Sequence, residues 1–388
     1  MNDPLKKYRR QFRSWQNSRH LQREKDYYTQ RYRKLGLKIP GEQEIKAELK
    51  KRFPSLAAKA KGDLNIIAVY HHYNWENEAL KPSLAKFGLV RHYDWFNKFN
   101  HSGKDWHNSL KSRMNEDLIR KINKWQTDKK VDVIFAYLSG ELVEPAALQK
   151  IRSLGTPMVN LALNDKEHFV GKEKNGRAYG SRDICSFFDL CWTSTEDALI
   201  KYCVEGAIPL YLPEGANPQI HRPYDLEKTI DVSFVGQCYG NRAAVIAKLK
   251  EQGINAEAYG AGWPSGPLTT EEMVRIYSRS KINLGFGGVA GHKDTFCLKG
   301  RDFEIPMSGG LYLTEDHPEL SYAFLPGKEI LTYSGMDDLV AKIKYYLAHP
   351  EETESVRIKG HERALREHTW EGRFEKIFRL IGILEEGT

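Results

Sequence analysis

The strongest constraint on the fold of this chain is an alternation of strand and helix that starts at Leu64, breaks once and starts again. LNIIAVY (64–70), VDVIFAYLS (131–139) and PMVNLAL (157–163) are short, evenly apolar runs of the kind buried on both faces of a sheet. Between them ENEALKPSLAKFG (76–88) and EPAALQKIRSLG (144–155) carry apolar residues at helical spacing and close on glycine. DLCWTSTEDALIKYCVEG (189–206) repeats the theme, and IPLYLPEGANPQIHRP (208–223), rich in Pro, Gly and Asn, reads as a hinge. Beyond it come IDVSFVG, the helix NRAAVIAKLKEQG, INAEAYG, the Thr-capped helix TTEEMVRIYSRS, KINLGF and a final set of amphipathic helices. Strand and helix in alternation build a parallel sheet covered on both faces. The expected fold class is therefore α/β, with two Rossmann-like doubly wound domains.

The basic charge is confined to one end. Up to Gly62 there are 18 Lys and Arg against 6 Asp and Glu, and beyond it 41 against 45. Tyr8, Phe12 and Trp15, then Tyr28, Tyr32 and Leu35, recur at helical spacing within this leader. The organisation expected is a basic helical extension over 1–62, a first Rossmann-like domain over 63–215, a second over 216–370 and a terminal helix over 371–388 crossing back towards the first domain. Packing against the body is the first use foreseen for the leader. An anionic membrane surface and nucleic acid come next. No apolar run is long enough to span a membrane and no secretory signal is visible, so a cytoplasmic location is expected, with peripheral contact at the inner membrane face as a variant. The five cysteines form no ligand or CxxC spacing, so reduced thiols and no metal site are expected.

In open parallel sheets ligands bind beyond the carboxyl ends of the strands. Three such ends in the second half carry candidate chemistry. After IDVSFVG, the residues Gly236, Gln237, Tyr239, Gly240 and Arg242 form a glycine-bearing turn at a helix mouth, suited to a phosphate. In YGAGWPSG, Gly262 allows close backbone approach and Trp263 offers a flat face. In LKGRDFEIPMSGG, Lys299, Arg301 and Glu304 crowd against a short helix whose first turn is expected to hold Pro306. Cations there suit a diphosphate and a carboxylate suits ribose hydroxyls. Each site alone has a plain structural reading as a turn, a half-buried Trp or a local ion pair, and it is their recurrence in one domain that favours function. GFGGVAGHKD (285–294) is expected to be a pliable loop from which Lys293 reaches substrate phosphates. In the first half Asp165, His72 and Glu76 follow strand ends and are the candidate bases, with His71 expected inward and His72 available.

These residues resemble a known family. The hinge LPEGANPQIHRP, the segment FVGQCYGNR, the stretch from LKGRDFEIPMSGG to HPEE and the later HTWEGRFEKI are similar to group 1 glycosyltransferases of GT-B fold, closest to the CgeB-like (spore maturation) branch. The likeness covers about Asp231 to Phe378, is weaker over Leu64 to Pro223 and is absent from the leader. It implies a metal-independent hexosyltransferase that needs no bound cofactor and takes a nucleotide sugar, a UDP-sugar favoured, as co-substrate. The acceptor would be a glycan, a lipid-linked molecule or a nucleic acid. It matches Arg301 and Glu304 to the family's GRxFEIP residues, with Glu304 on the ribose. Relatives often carry two basic residues on the first loop of this domain, where this chain has Gln237 and Arg242. They also carry an earlier acid at the position of Phe296, so no stereochemical outcome carries over. A non-catalytic nucleic-acid or membrane module and a sugar-nucleotide epimerase are the competing readings.

Overall fold

The computed structural model describes residues 4–73, 75–289, 292 and 295–386, with side chains from Phe12 onward except Arg13. It divides into two compact units, Arg23–Pro213 with Glu371–Thr388, and Glu214–Trp370 with Met1–Gln22.

The first unit is built on six parallel strands, β1 (Leu64–Val69), β2 (Gly88–Tyr93), β3 (Val133–Ala136), β4 (Met158–Ala162), β7 (Leu190–Thr193) and β8 (Pro209–Tyr211), in the order β2-β1-β3-β4-β7-β8. A small antiparallel ribbon, β5 (Glu173–Lys174) and β6 (Arg177–Ala178), projects from the connection after β4. β1, β3, β4 and β7 are buried along their whole length, as their apolar runs require, because a parallel sheet is covered on both faces. β2 and β8 differ from the sequence reading. GLVRHY is a half-buried edge strand that its mixed polarity hid, and PLY pairs with β7, so the hinge begins after it. The helix Trp370–Ile381 supplies Phe374, edge-on to Phe135 and Trp192, and Phe378, edge-on to Phe87. Arg373 Nε donates to Pro213 O.

The leader is split in its behaviour. Tyr28 is buried, donates to Glu205 at 2.7 Å and meets Phe169 edge-on, while Glu24 and Lys201 form a buried ion pair at 2.8 Å. Ile45 and Leu49 of the helix Glu42–Arg52 are also buried. Phe12 and Trp15, by contrast, are exposed and stack on each other. Packing thus accounts for Tyr28, Ile45 and Leu49 and not for Phe12, Trp15, Tyr27 and Leu35, which are exposed, while the Tyr8 side chain lies outside the described residues.

The second unit holds five parallel strands, β9 (Ile230–Val235), β10 (Ala256–Tyr259), β11 (Ser280–Leu284), β12 (Tyr312–Glu315) and β13 (Leu331–Tyr333), in the order β10-β9-β11-β12-β13. The helix Thr270–Arg279 opens on the expected capping box, Thr269 and Glu272 bonding reciprocally. The helix Gly300–Met307 starts earlier than the sequence suggested. Pro306 therefore lies inside its last turn, and the first turn holds Arg301. The chain leaves through Gly309, at φ +68, with Gly309 N–H on Pro306 O and Gly310 N–H on Ile305 O. That is a Schellman closure, in which glycine takes the left-handed position. Among the described residues no helix is long and apolar enough to cross a membrane.

Candidate functional site

In each sheet the strand order reverses next to the first strand, leaving a crevice at the carboxyl ends of β1 and β3 in one unit and of β9 and β11 in the other. In the second unit this crevice gathers the cations singled out from the sequence. β9 ends at Gly236. Arg242, at the start of the next helix, donates to Gln237 O and to the Tyr239 hydroxyl, both at 2.8 Å. Its guanidinium is 5.1 Å from the Phe234 ring centroid, and that of Arg301 is 5.3 Å from the same ring. Burial, followed by the repulsion of Arg301, holds Arg242 below its ordinary pKa. Arg301 Nη1 is buried and has no hydrogen-bond acceptor among the described residues. Two guanidinium groups on one ring, with an unanswered donor, form a site short of an anion. Trp263 closes one side, its Nε1 donating to Gly236 O at 2.8 Å.

Gly236 is demanded by this arrangement. A Cβ there would lie 2.7 Å from Arg301 Nη2 and 2.8 Å from the Phe234 ring. Gly236→Ala is expected to displace the guanidinium and weaken binding of a pyrophosphate probe at this crevice about tenfold, as loss of a charged hydrogen bond implies. Calorimetric titration checks it, and unchanged affinity would show that Arg301 does not depend on this contact.

The helix Gly300–Met307 collects the remaining charge. Lys299 uses its ammonium to bind Gly287 O at 3.1 Å and Gly288 O at 2.8 Å, which fastens the glycine loop beyond β11. Asp302 is buried, accepts from Lys299 N–H and from the Tyr312 hydroxyl, and is pushed up mainly by burial. Glu304 Oε1 stands 3.9 Å from His221 Nε2. His221 Nδ1 accepts from Asn217 N–H at 3.2 Å, so the ring proton belongs on Nε2, facing the carboxylate. Glu214 joins them. A Cβ on Gly300 would be 3.0 Å from Glu304 Oε1 and 3.5 Å from Glu214 Oε2. Burial, then the charges of Glu304 and Asp302, push Glu214 up to about 8. Neither Glu214 nor His221 was marked from sequence, where both sit in a Pro- and Gly-rich hinge that reads as solvated linker. Gly240 and Gly262 take left-handed φ of +69 and +87 in the turns around the crevice. Lys293 lies outside the described residues.

The three candidate bases of the first unit separate. Glu76 and Asp165 line one cavity of about 620 Å³ beyond β1, β3 and β4. His72 does not line it, being paired through Nδ1 with Asp94, and His71 takes its place. His71 is the buried one of the pair, as expected, yet it and not the more open His72 reaches the cavity, both following the end of β1, where the chain has left the pleat. Glu76 opens the helix Glu76–Ala85 and accepts from Tyr73 N–H at 2.9 Å. Asp165 is fully buried, its Oδ2 accepting from the Tyr202 hydroxyl at 2.8 Å. Burial pushes it up to about 6, against the hydrogen bonds of Thr193 and Tyr202 and the charge of Lys201. Among the described residues no three His, Cys, Asp or Glu side chains form a metal-binding group.

Residues 242–379 match the family model described as "Glycosyl transferase-like". No curated protein matches the chain in sequence. Solved structures do match in fold. Sucrose-phosphate synthase from Thermosynechococcus elongatus aligns at TM-score 0.58 and 11% identity, over 82% of this chain and 98% of its own. An α-glucosyltransferase in complex with UDP and a mismatched 13-mer DNA aligns at 0.56 and 12%, over 81% and 99%. Anabaena HepE in complex with UDP-glucose aligns at 0.54 and 10%, over 82% and 99%. The two-sheet architecture is that of GT-B glycosyltransferases, with a glycosyltransferase-like domain on the second sheet.

Proposed function

We propose that this glycosyltransferase takes a nucleotide sugar at the crevice of its second domain and moves the sugar to an acceptor hydroxyl, with no bound cofactor and no metal. The observation that carries the reading is the pair Arg242 and Arg301 on Phe234, the latter with a buried donor lacking an acceptor. Their charge suits a diphosphate, and the UDP or UDP-glucose held by two structural neighbours favours UDP as the nucleotide. The glycosidic C–O bond to the diphosphate breaks with oxocarbenium character at the sugar. The electron pair leaves on the diphosphate, where the guanidinium groups and helix amides stabilise it. The acceptor oxygen bonds to the anomeric carbon and its proton goes to a carboxylate, for which Asp165 and then Glu76 are the candidates. Glu304, 3.9 Å from His221 Nε2, would accept from the ribose hydroxyls. Within the group, the motifs around Arg301 and Glu304 favour the CgeB-like branch.

Thermal denaturation with a panel of UDP-, GDP- and dTDP-sugars tests this. At least one is expected to raise Tm by several degrees, with the shift lost in Glu304→Ala. A flat response to the whole panel would overturn the reading.

A further inference from the structure

The first domain's cavity carries information about the acceptor. Its walls are aromatic and acidic, with Tyr73, Trp75, Tyr137 and Tyr179 set among Glu76, Glu141 and Asp165, and with Lys172 as the one ammonium group lining it. Two buried polar atoms there lack partners among the described residues, Asp165 Oδ1 from beyond β4 and His71 Nδ1 from beyond β1. Such atoms are costly unless a ligand meets them. A carboxylate oxygen calls for a donor, and a hydroxyl is the neutral group that supplies one. Flat rings suit the C–H face of a saccharide. With His107 paired to Glu141 at 3.0 Å and Lys201, beside Asp165, already paired to Glu24, the three carboxylates and Lys172 leave the cavity no net positive charge for a phosphate. At about 620 Å³ the space matches a small-molecule site rather than a polymer track.

We propose that this cavity binds the acceptor as an uncharged polyhydroxylated ring, with a hydroxyl donating to Asp165 Oδ1 and the aromatic walls against the ring face. This rests on the chain being a transferase, and it names the substrate class. A nucleic-acid acceptor, DNA being bound in one structural neighbour, would bring its phosphates against Glu76, Glu141 and Asp165, which is why the saccharide is preferred.

Saturation-transfer NMR on the full chain without nucleotide tests it, using the methyl glycosides of glucose, galactose and mannose against glucose 6-phosphate and a single-stranded oligonucleotide. At least one methyl glycoside is expected to bind more tightly than either charged probe. Asp165→Asn and Trp75→Leu should each weaken it at least tenfold, while the UDP-induced Tm shift stays as in the parent. If Asp165→Asn does not fold, Trp75→Leu carries the test. The proposal falls if no methyl glycoside binds, if a charged probe binds better, or if the folded variants keep parental affinity. Glycoside binding with no response to any nucleotide sugar would instead remove the donor reading and leave this cavity's assignment standing.

Discussion

Arg301→Ala is expected to lower turnover by about 10²–10³-fold and to abolish the nucleotide-dependent rise in Tm. Removing one preorganised donor aimed at developing negative charge costs roughly 3–4 kcal/mol in comparable sites. Arg301 adds to that a buried Nη1 with no acceptor among the described residues, a donor left for a ligand. Arg301→Lys should recover little, because a point charge does not reproduce the planar fork or its position over Phe234. Without ligand the variant loses the attraction of Arg301 for Glu214 and Asp302 and gains relief of its repulsion on Arg242, so its unliganded Tm is measured alongside. Steady-state kinetics beside melting curves separate the outcomes. A fall in Tm without ligand, with turnover intact, would make Arg301 a structural residue and sink its role in the site.

Glu214 governs the second large effect, on stability against pH. Its carboxyl is raised from 4.5 to about 8 in the folded chain, first by burial and then by Glu304 and Asp302. Between those values the folded state keeps a proton that the unfolded chain releases. Stability is therefore undiminished below about pH 4.5, falls as pH rises, and levels off above about pH 8. At about 1.4 kcal/mol per unit the loss is several kcal/mol, an order-of-magnitude figure for a carboxyl with charged neighbours. Glu214→Gln keeps the neutral form's shape and removes the titration. Its Tm should exceed that of the parent by a margin that widens from pH 5 to pH 8.5, on the order of 10 °C at the upper end. Parallel curves for the two proteins over that range would contradict a half-buried Glu214 that holds its proton.

The parts of the site legible in the sequence were those tied to local grammar. Gly236, Arg242 and Arg301 stand immediately after strands or at helix starts, and strand ends are where open sheets bind ligands. What the sequence concealed has specific causes. Glu214 and His221 lie between Pro213 and Pro223, where no periodicity marks burial. His71 and His72 follow the end of β1, and period-two reasoning stops where the pleat stops. The placement of Pro306 was misjudged because a helix that starts at Gly300 needs no recognisable Ser, Thr or Asn cap, Asp302 supplying the bond to Lys299 N–H instead.

By itself the sequence determined the two parallel sheets and the cationic character of the strand ends, because burial on both faces and helix periodicity are written residue by residue along the chain. Tertiary structure alone decided which charges meet. It brought Arg301 over the same ring as Arg242, set Glu214 beside Glu304, and put Glu76, His71 and Asp165 around one cavity. Those outcomes depend on distances between segments far apart in the chain, and electrostatic strength falls with distance and rises with burial, quantities that no local pattern encodes.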